Sequence, residues 1–299
     1  MAETITSVST GASALLSGAL ADIAQQVHRG VARVRSGRGF GSGTVWRADG
    51  IVVTNHHVVP GDGAEIALED GRSFSGGVIA RDTANDLAVL RVGAEDLPAL
   101  PVRDARTLRP GELVVAVGHP VGMVGAASIG IVTVPLPARP AEDERELIRA
   151  DVLLRPGNSG GPLVDSAGRV VGVNAMVAGG LALSVPSHLV ERLLARSERP
   201  LLGVGVQAAR LAPAQAAGAN TDGGLLVVSL TPDGAAERAG VIVGDVLLAL
   251  NGLALDEPRA LLDALDAHPG GAARLQLLRG GVVRSLSVTL AGSASRRAA

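Results

Sequence analysis

Gly157-Asn158-Ser159-Gly160-Gly161-Pro162-Leu163-Val164 is the stretch on which the reading of this chain turns. A serine set among glycines, followed by Pro and a short apolar run, describes a tight turn leading into a strand. A serine hydroxyl is a poor nucleophile at neutral pH. It needs a base within hydrogen-bond reach, and that base needs an acid to orient it. A glycine-rich turn can expose the hydroxyl while nearby backbone N–H groups converge on one point. Such donors stabilise the oxyanion of a tetrahedral intermediate by about 2.7–4 kcal/mol each. Here they fall at Gly157, Asn158 and Ser159, with the N–H groups of Gly157 and Ser159 best placed. The turn alone is equally compatible with an ordinary hairpin, so the rest of the sequence has to decide.

Two upstream segments offer the missing partners. Thr54-Asn55-His56-His57-Val58-Val59 ends an apolar run, and Asn85-Asp86-Leu87-Ala88-Val89-Leu90 begins one with an acid. Chemistry does not separate His56 from His57, and Asp82 competes with Asp86. The other histidines, His28, His119, His188 and His268, are scattered without metal-ligand spacing. Neither a metal nor another cofactor is expected.

Around these segments the pattern is β-rich. Between Val31 and Val185 a dozen short apolar runs are separated by Gly, Asp and Pro, and Asp49-Gly50, Asp70-Gly71 and Ala167-Gly168 read as turns. The pattern predicts antiparallel barrels or sandwiches. Residues 1–18, rich in Ser, Thr, Ala and Gly, read as a loose tail, and Ala19–Val27 as a helix. Ser187 is an expected N-cap for a helix over His188–Arg196, with a linker at Ser197–Pro200 and a frayed tail over 291–299.

Composition narrows the function. A 47% hydrophobic and 19% charged chain has ample apolar residues for cores, and a net charge of −2 without a basic run argues against nucleic acid. Aromatics are 1% of the chain, so Val, Leu, Ile and Ala must fill the interior. The absence of Cys removes disulfides and thiolate chemistry. No stretch is long and apolar enough to span a bilayer. The N-terminal segment, with Glu3 where positive charge is expected, does not read as a signal peptide. A cytoplasmic location is therefore expected, with a periplasmic or extracytoplasmic one as the alternative if the start omits an export segment.

Taken together, the three segments resemble the HtrA family within the trypsin/chymotrypsin-like clan, which carries TNxHVV, DLAVL and GNSGGPL stretches in this order. Gly41-Ser42-Gly43, Gly118-His119-Pro120 and Val185-Pro186-Ser187 extend the resemblance, which spans Leu20 to Leu290. It implies His57 as general base, Asp86 as its orienting partner and Ser159 as nucleophile. The implied fold is mainly β, two six-stranded antiparallel β-barrels over 19–196. In trypsin-like folds the primary pocket is lined by residues just before the nucleophile and by a facing strand. That puts Leu153, Leu183 and Ser184 at the pocket and implies aliphatic specificity; barrel core is the alternative reading for the leucines.

From Leu201 to Leu290 the sequence resembles a PDZ domain of the kind found in bacterial proteases. The resemblance rests on Leu201-Leu202-Gly203-Val204, Thr231–Gly240 and Gly244–Gly252. It implies an α+β domain that takes C-terminal peptides by strand addition. Leu201, Leu202, Gly203 and Val204 would form the carboxylate loop, and Leu261 and Leu265 the groove wall. Packing on the sheet is the competing role for these leucines. The expected function is ATP-independent serine endopeptidase action on misfolded or tagged proteins, since no phosphate-cradling loop is visible. The resemblance also points to a homotrimer. A peptide-binding protein with an idle protease site is the competing function.

Overall fold

The computed structural model describes residues 4–290 except 38, 121–124, 135, 137–144, 199, 214, 215, 217, 218, 220 and 269. The chain divides into two units, Met1–Ser197 and Glu198–Ala299.

The first unit begins with helix α1, Thr4–His28. The loose tail expected over 1–18 is thus helical from Thr4. The Ser/Thr content that suggested disorder is interspersed with Ala and Leu, which are strong helix formers. Leu20, Ile23 and Val27 pack against the core, while Leu15 and Leu16 are exposed.

Two closed barrels follow. The strands of the first are β1 Val31–Ser36, β2 Gly39–Arg47, β3 Ile51–Thr54, β4 Gly63–Ala67, β5 Ser73–Asp82 and β6 Leu87–Val92. Those of the second are β7 Leu113–Gly118, β8 Ala126–Val134, β9 Ile148–Asp151, β10 Pro162–Asp165, β11 Val170–Ala178 and β12 Leu181–Pro186. The hydrogen-bonded order is β1-β2-β3-β6-β5-β4 in one and β7-β8-β9-β12-β11-β10 in the other, so the two share one topology. Antiparallel pairing of β1 with β4, and of β7 with β10, closes each.

Several strands are apolar on both faces, and the barrels explain why. In β3, Val52 points into the first barrel beside Val34, Ile66 and Leu90. Its neighbours Ile51 and Val53 point the other way, into a cluster shared with Val115, Val117, Val164 and Val173 of the second barrel. Strand side chains alternate faces, so a strand at the junction of two cores must be apolar throughout. Helix α2, Ser187–Glu198, adds Leu189, Val190, Leu193 and Leu194 to this shared core. It runs through Ser197 and Glu198, which shortens the expected linker. Ser187 is not its cap: its hydroxyl donates to Arg103 O (2.7 Å) and accepts from Ala105 N–H (3.1 Å).

The second unit is a sheet of order β13-β14-β15-β17-β18, with β16 paired to β15. The strands are β13 Val204–Arg210, β14 Gly223–Leu230, β15 Val246–Leu250, β16 Leu253–Ala254, β17 Gly271–Arg279 and β18 Val282–Leu290. Helices cover Ala235–Arg238 and Pro258–Asp266, the latter with Pro in its first turn where no N–H is needed. Asp245, fully buried, accepts both arms of the Arg279 guanidinium at 2.7 Å each, which supplies the partner a buried carboxylate requires. The tail over 291–299 lies outside the described residues.

Candidate active site

The acid and the histidine come from the first barrel. Asp86 ends a turn and immediately precedes β6, with φ at +56°. That left-handed conformation is one Asp tolerates better than most residues. Its backbone carbonyl accepts Asn55 Nδ2 (2.9 Å) and His56 N–H (3.2 Å), which ties the turn to the end of β3. The carboxylate then reaches His57 twice. Oδ2 lies 2.7 Å from Nδ1 and Oδ1 accepts the backbone N–H at 3.0 Å. Asp86 is 8% exposed, whereas the His57 side chain is half exposed. Burial pushes the Asp86 carboxyl upward, but the His57 side-chain and backbone hydrogen bonds outweigh it and hold the group below the usual carboxylate range. A carboxylate ionised in this position fixes the imidazole with Nδ1–H toward the acid and leaves Nε2 as the proton acceptor.

The two competing residues of the sequence make other contacts. The His56 backbone meets the Asp86 carbonyl, but its ring Nδ1 lies 2.9 Å from Arg81 Nη1. Arg81 also donates to the carbonyls of Val59 and Gly61, so it braces the loop after His57. Asp82 accepts from the N–H and the side chain of Asn85, which shapes the turn rather than meeting a histidine.

Ser159 comes from the second barrel, on the turn before β10. The turn depends on glycine. Gly157 and Gly160 have φ of +101° and +87°, and a Cβ on Gly160 would stand 1.9 Å from Ser42 O. The turn is fastened to the first barrel by Ser42 N–H, which donates to Ser159 O at 2.8 Å. Ser159 Oγ donates to Ala175 O on β11 at 2.9 Å. Of the three expected oxyanion donors, Asn158 is a correction. Its N–H is spent on Arg155 O (2.9 Å) inside the turn, and its side chain is buried. Among the described residues the N–H groups of Gly157 and Ser159 make no hydrogen bond, so they remain available to an incoming oxygen.

The pocket residues divide. Leu153 is 59% exposed and Leu183 is half-buried. Ser184 is buried, and its hydroxyl donates to Asn174 Oδ1 at 3.1 Å, inside the barrel. An inward-facing strand position has removed it from any substrate.

In the second unit, β13 is an edge strand that pairs with β14. Gly203 takes φ of +78°, and the carbonyls of Leu202 and Gly203 accept from Ala236 and Thr231 (2.8 and 2.9 Å), which shapes the loop leading into β13. Leu201 is exposed and Val204 half-buried. Leu202, Leu261 and Leu265 are buried in the core, whereas Leu262 is exposed. The helix must bury one face to stay on the sheet, and Leu261 and Leu265, four residues apart, are that face.

Comparison with known proteins identifies both units. The trypsin-like peptidase domain model matches residues 41–173, and the PDZ domain model matches 226–279. A probable periplasmic serine endoprotease, DegP-like, of Halomonas elongata is 34% identical over 267 residues, 85% of this chain and 56% of the relative. The putative serine protease HhoB of Synechocystis is 34% identical over 239 residues, 72% of this chain and 57% of the relative. The chain therefore spans little more than half the length of the curated relatives it matches. A solved HtrA-type protease, AlgW with tripeptide, superposes with TM-score 0.55 at 28% identity, covering 90% of this chain and 96% of that one. The cytoplasmic location expected from the N-terminal sequence is overturned, because relatives at this similarity bear the name periplasmic. With two closed barrels, a C-terminal PDZ domain and these relatives, the chain belongs to the HtrA-type, trypsin-like serine proteases.

Proposed function

We propose that the chain is a serine endopeptidase that hydrolyses peptide bonds of unfolded or tagged proteins without ATP, outside the cytoplasm. The observation that carries this reading is the double contact of Asp86 with His57, on an imidazole that is half exposed. Ser159 Oγ leaves the Ala175 carbonyl, passes its proton to His57 Nε2 and attacks the scissile carbonyl carbon. Asp86 stays ionised and stabilises the imidazolium that results. The N–H groups of Gly157 and Ser159 receive the developing oxyanion. His57 returns the proton to the leaving amine, and water then repeats the sequence on the acyl-enzyme.

The PDZ domain takes C-terminal peptides as an added strand on the free edge of β13, with the loop at Leu201–Val204 near the terminal carboxylate. Leu153, exposed before the turn, favours aliphatic side chains in the primary pocket. Exposed Leu15 and Leu16 on α1 suit a subunit contact, which supports a homotrimer and is tested by sedimentation of the whole chain.

The direct test is Ser159→Ala. Casein cleavage should fall by roughly 10⁵-fold or more, since removing a triad nucleophile leaves only residual catalysis. A fluorophosphonate should label wild type and not the variant. Cleavage by the pure variant at the wild-type rate refutes the assignment.

A further inference from the structure

Ser42 joins three parts of the protease unit that are remote in sequence. It sits within β2, is completely buried, and uses every polar group it has. Its hydroxyl accepts the N–H of His119, at the end of β7, at 2.8 Å and donates to Gly157 O at 2.7 Å. Its N–H holds Ser159 O at 2.8 Å, and its carbonyl accepts Thr54 Oγ1 at 2.7 Å. One residue of the first barrel therefore grips the nucleophile turn on both sides of Asn158.

The surrounding glycines make room for this grip. A Cβ on Gly118 would stand 3.0 Å from Ser42 Oγ, and one on Gly161 3.2 Å from Ser42 Cβ. The turn needs a clamp, because its own chemistry does not select one conformation. Gly157, without a Cβ and at φ +101°, lets the peptides on either side of it turn over at little steric cost. Asn158 Oδ1 is also buried there without a partner among the described residues, which weighs against this turn conformation.

We propose that Ser42 is the positioning residue for the oxyanion donors. Its hydroxyl has both donor and acceptor engaged, so it has one orientation, and it admits the orientation of the Gly157–Asn158 peptide in which the carbonyl meets it. With the Gly157 carbonyl held by Ser42 and the N–H of the same peptide, that of Asn158, on Arg155 O, the flanking N–H groups of Gly157 and Ser159 make no hydrogen bond among the described residues. Ser42 touches no substrate atom. This assignment rests on the proposed peptidase reading.

The test uses the whole chain with Ser42→Ala and with Ser42→Cys, which fills nearly the same space but hydrogen-bonds weakly. Labelled casein reports kcat and KM. A peptide boronic acid, which forms a tetrahedral adduct on Ser159, reports the oxyanion site, and an uncleaved product peptide reports ground-state binding. Loss of one whole oxyanion donor costs about 10²–10³-fold, so misorientation should cost roughly 10–100-fold in kcat for Ser42→Ala and less for Ser42→Cys. KM and product affinity should change less than about threefold, and boronate affinity should fall in parallel with kcat. A folded variant with wild-type kcat and boronate affinity overturns the proposal. So does an equal loss of product affinity, which is what general loosening of the cleft would give. Residual cleavage in Ser159→Ala would instead strike the peptidase reading itself.

Discussion

The two units treat the residues that stand out in their sequences in opposite ways. In the protease unit, polar residues drawn from two segments of one barrel, Asp86 and His57, meet at 2.7 Å. In the PDZ unit, the leucines that resembled a groove wall, Leu261 and Leu265, disappear into the core, and Leu262 between them faces solvent. The difference is chemical. A buried carboxylate must find a partner, so its neighbours are constrained by hydrogen bonding. A leucine has the same chemistry in a core as in a groove, and only the helix phase decides which it serves.

The sharpest way to break the comparison is to remove the charge on the polar side. Asp86→Asn preserves shape but favours the wrong imidazole tautomer, and kcat should drop roughly 10⁴-fold with the fold intact. Steady-state kinetics beside circular dichroism checks it, and a variant within tenfold of wild type would show that the short contact is only structural.

On the apolar side, Leu265→Ala should destabilise the PDZ unit by about 2–5 kcal/mol, as buried leucines do. Leu262→Ala should stay within about 0.5 kcal/mol, as exposed sites do. Urea unfolding of both variants measures the gap, and equal losses would mean that the helix is phased differently.

A third test uses acid. His119 is buried, and burial lowers its pKa to about 4, partly opposed by the Val31 carbonyl and seconded by nearby His28 and Arg33. Its unfolded value is near 6.5. The unfolded chain therefore binds the extra proton first, and stability falls as pH drops from about 6.5 to 4. Asp104 and Glu112, held at about 2 by hydrogen bonds from Arg106 and from Arg103 against ordinary values of 3.8 and 4.5, lose their contribution later, from the acid end of that window down to about pH 2. Melting temperatures against pH should show a first decline that disappears in His119→Gln. An unchanged slope in that variant would exclude His119 as its source.

The smallest effect concerns specificity. Ser184→Ala should cost about 1–3 kcal/mol by stranding Asn174 Oδ1, yet leave the cleavage sites in casein unchanged. Leu153→Glu should move them, because Leu153 is exposed. Mass spectrometry of the fragments decides, and a shifted pattern in Ser184→Ala would return that residue to the pocket.

Much of this protein follows from the sequence alone. Short apolar runs punctuated by Gly and Asp specify antiparallel strands, because turns at Gly50, Gly71 and Gly168 need positive φ. The three motif segments narrowed the chemistry to a serine, a histidine and an acid, but chemistry alone left His56 beside His57 and Asp82 beside Asp86, and the choice of His57, Asp86 and Ser159 came from the family resemblance. Tertiary structure alone decided the rest. Periodicity reports two faces of a strand but not which core each face enters, so the shared topology of the barrels and the double burial of β3 appear only on closure. Ser42 and Ser184 are both buried strand serines; the fold sends one hydroxyl across to the Gly157 carbonyl and keeps the other within its own barrel at Asn174. A hydroxyl carries no preference for a distant partner until the chain has brought that partner within about 3 Å.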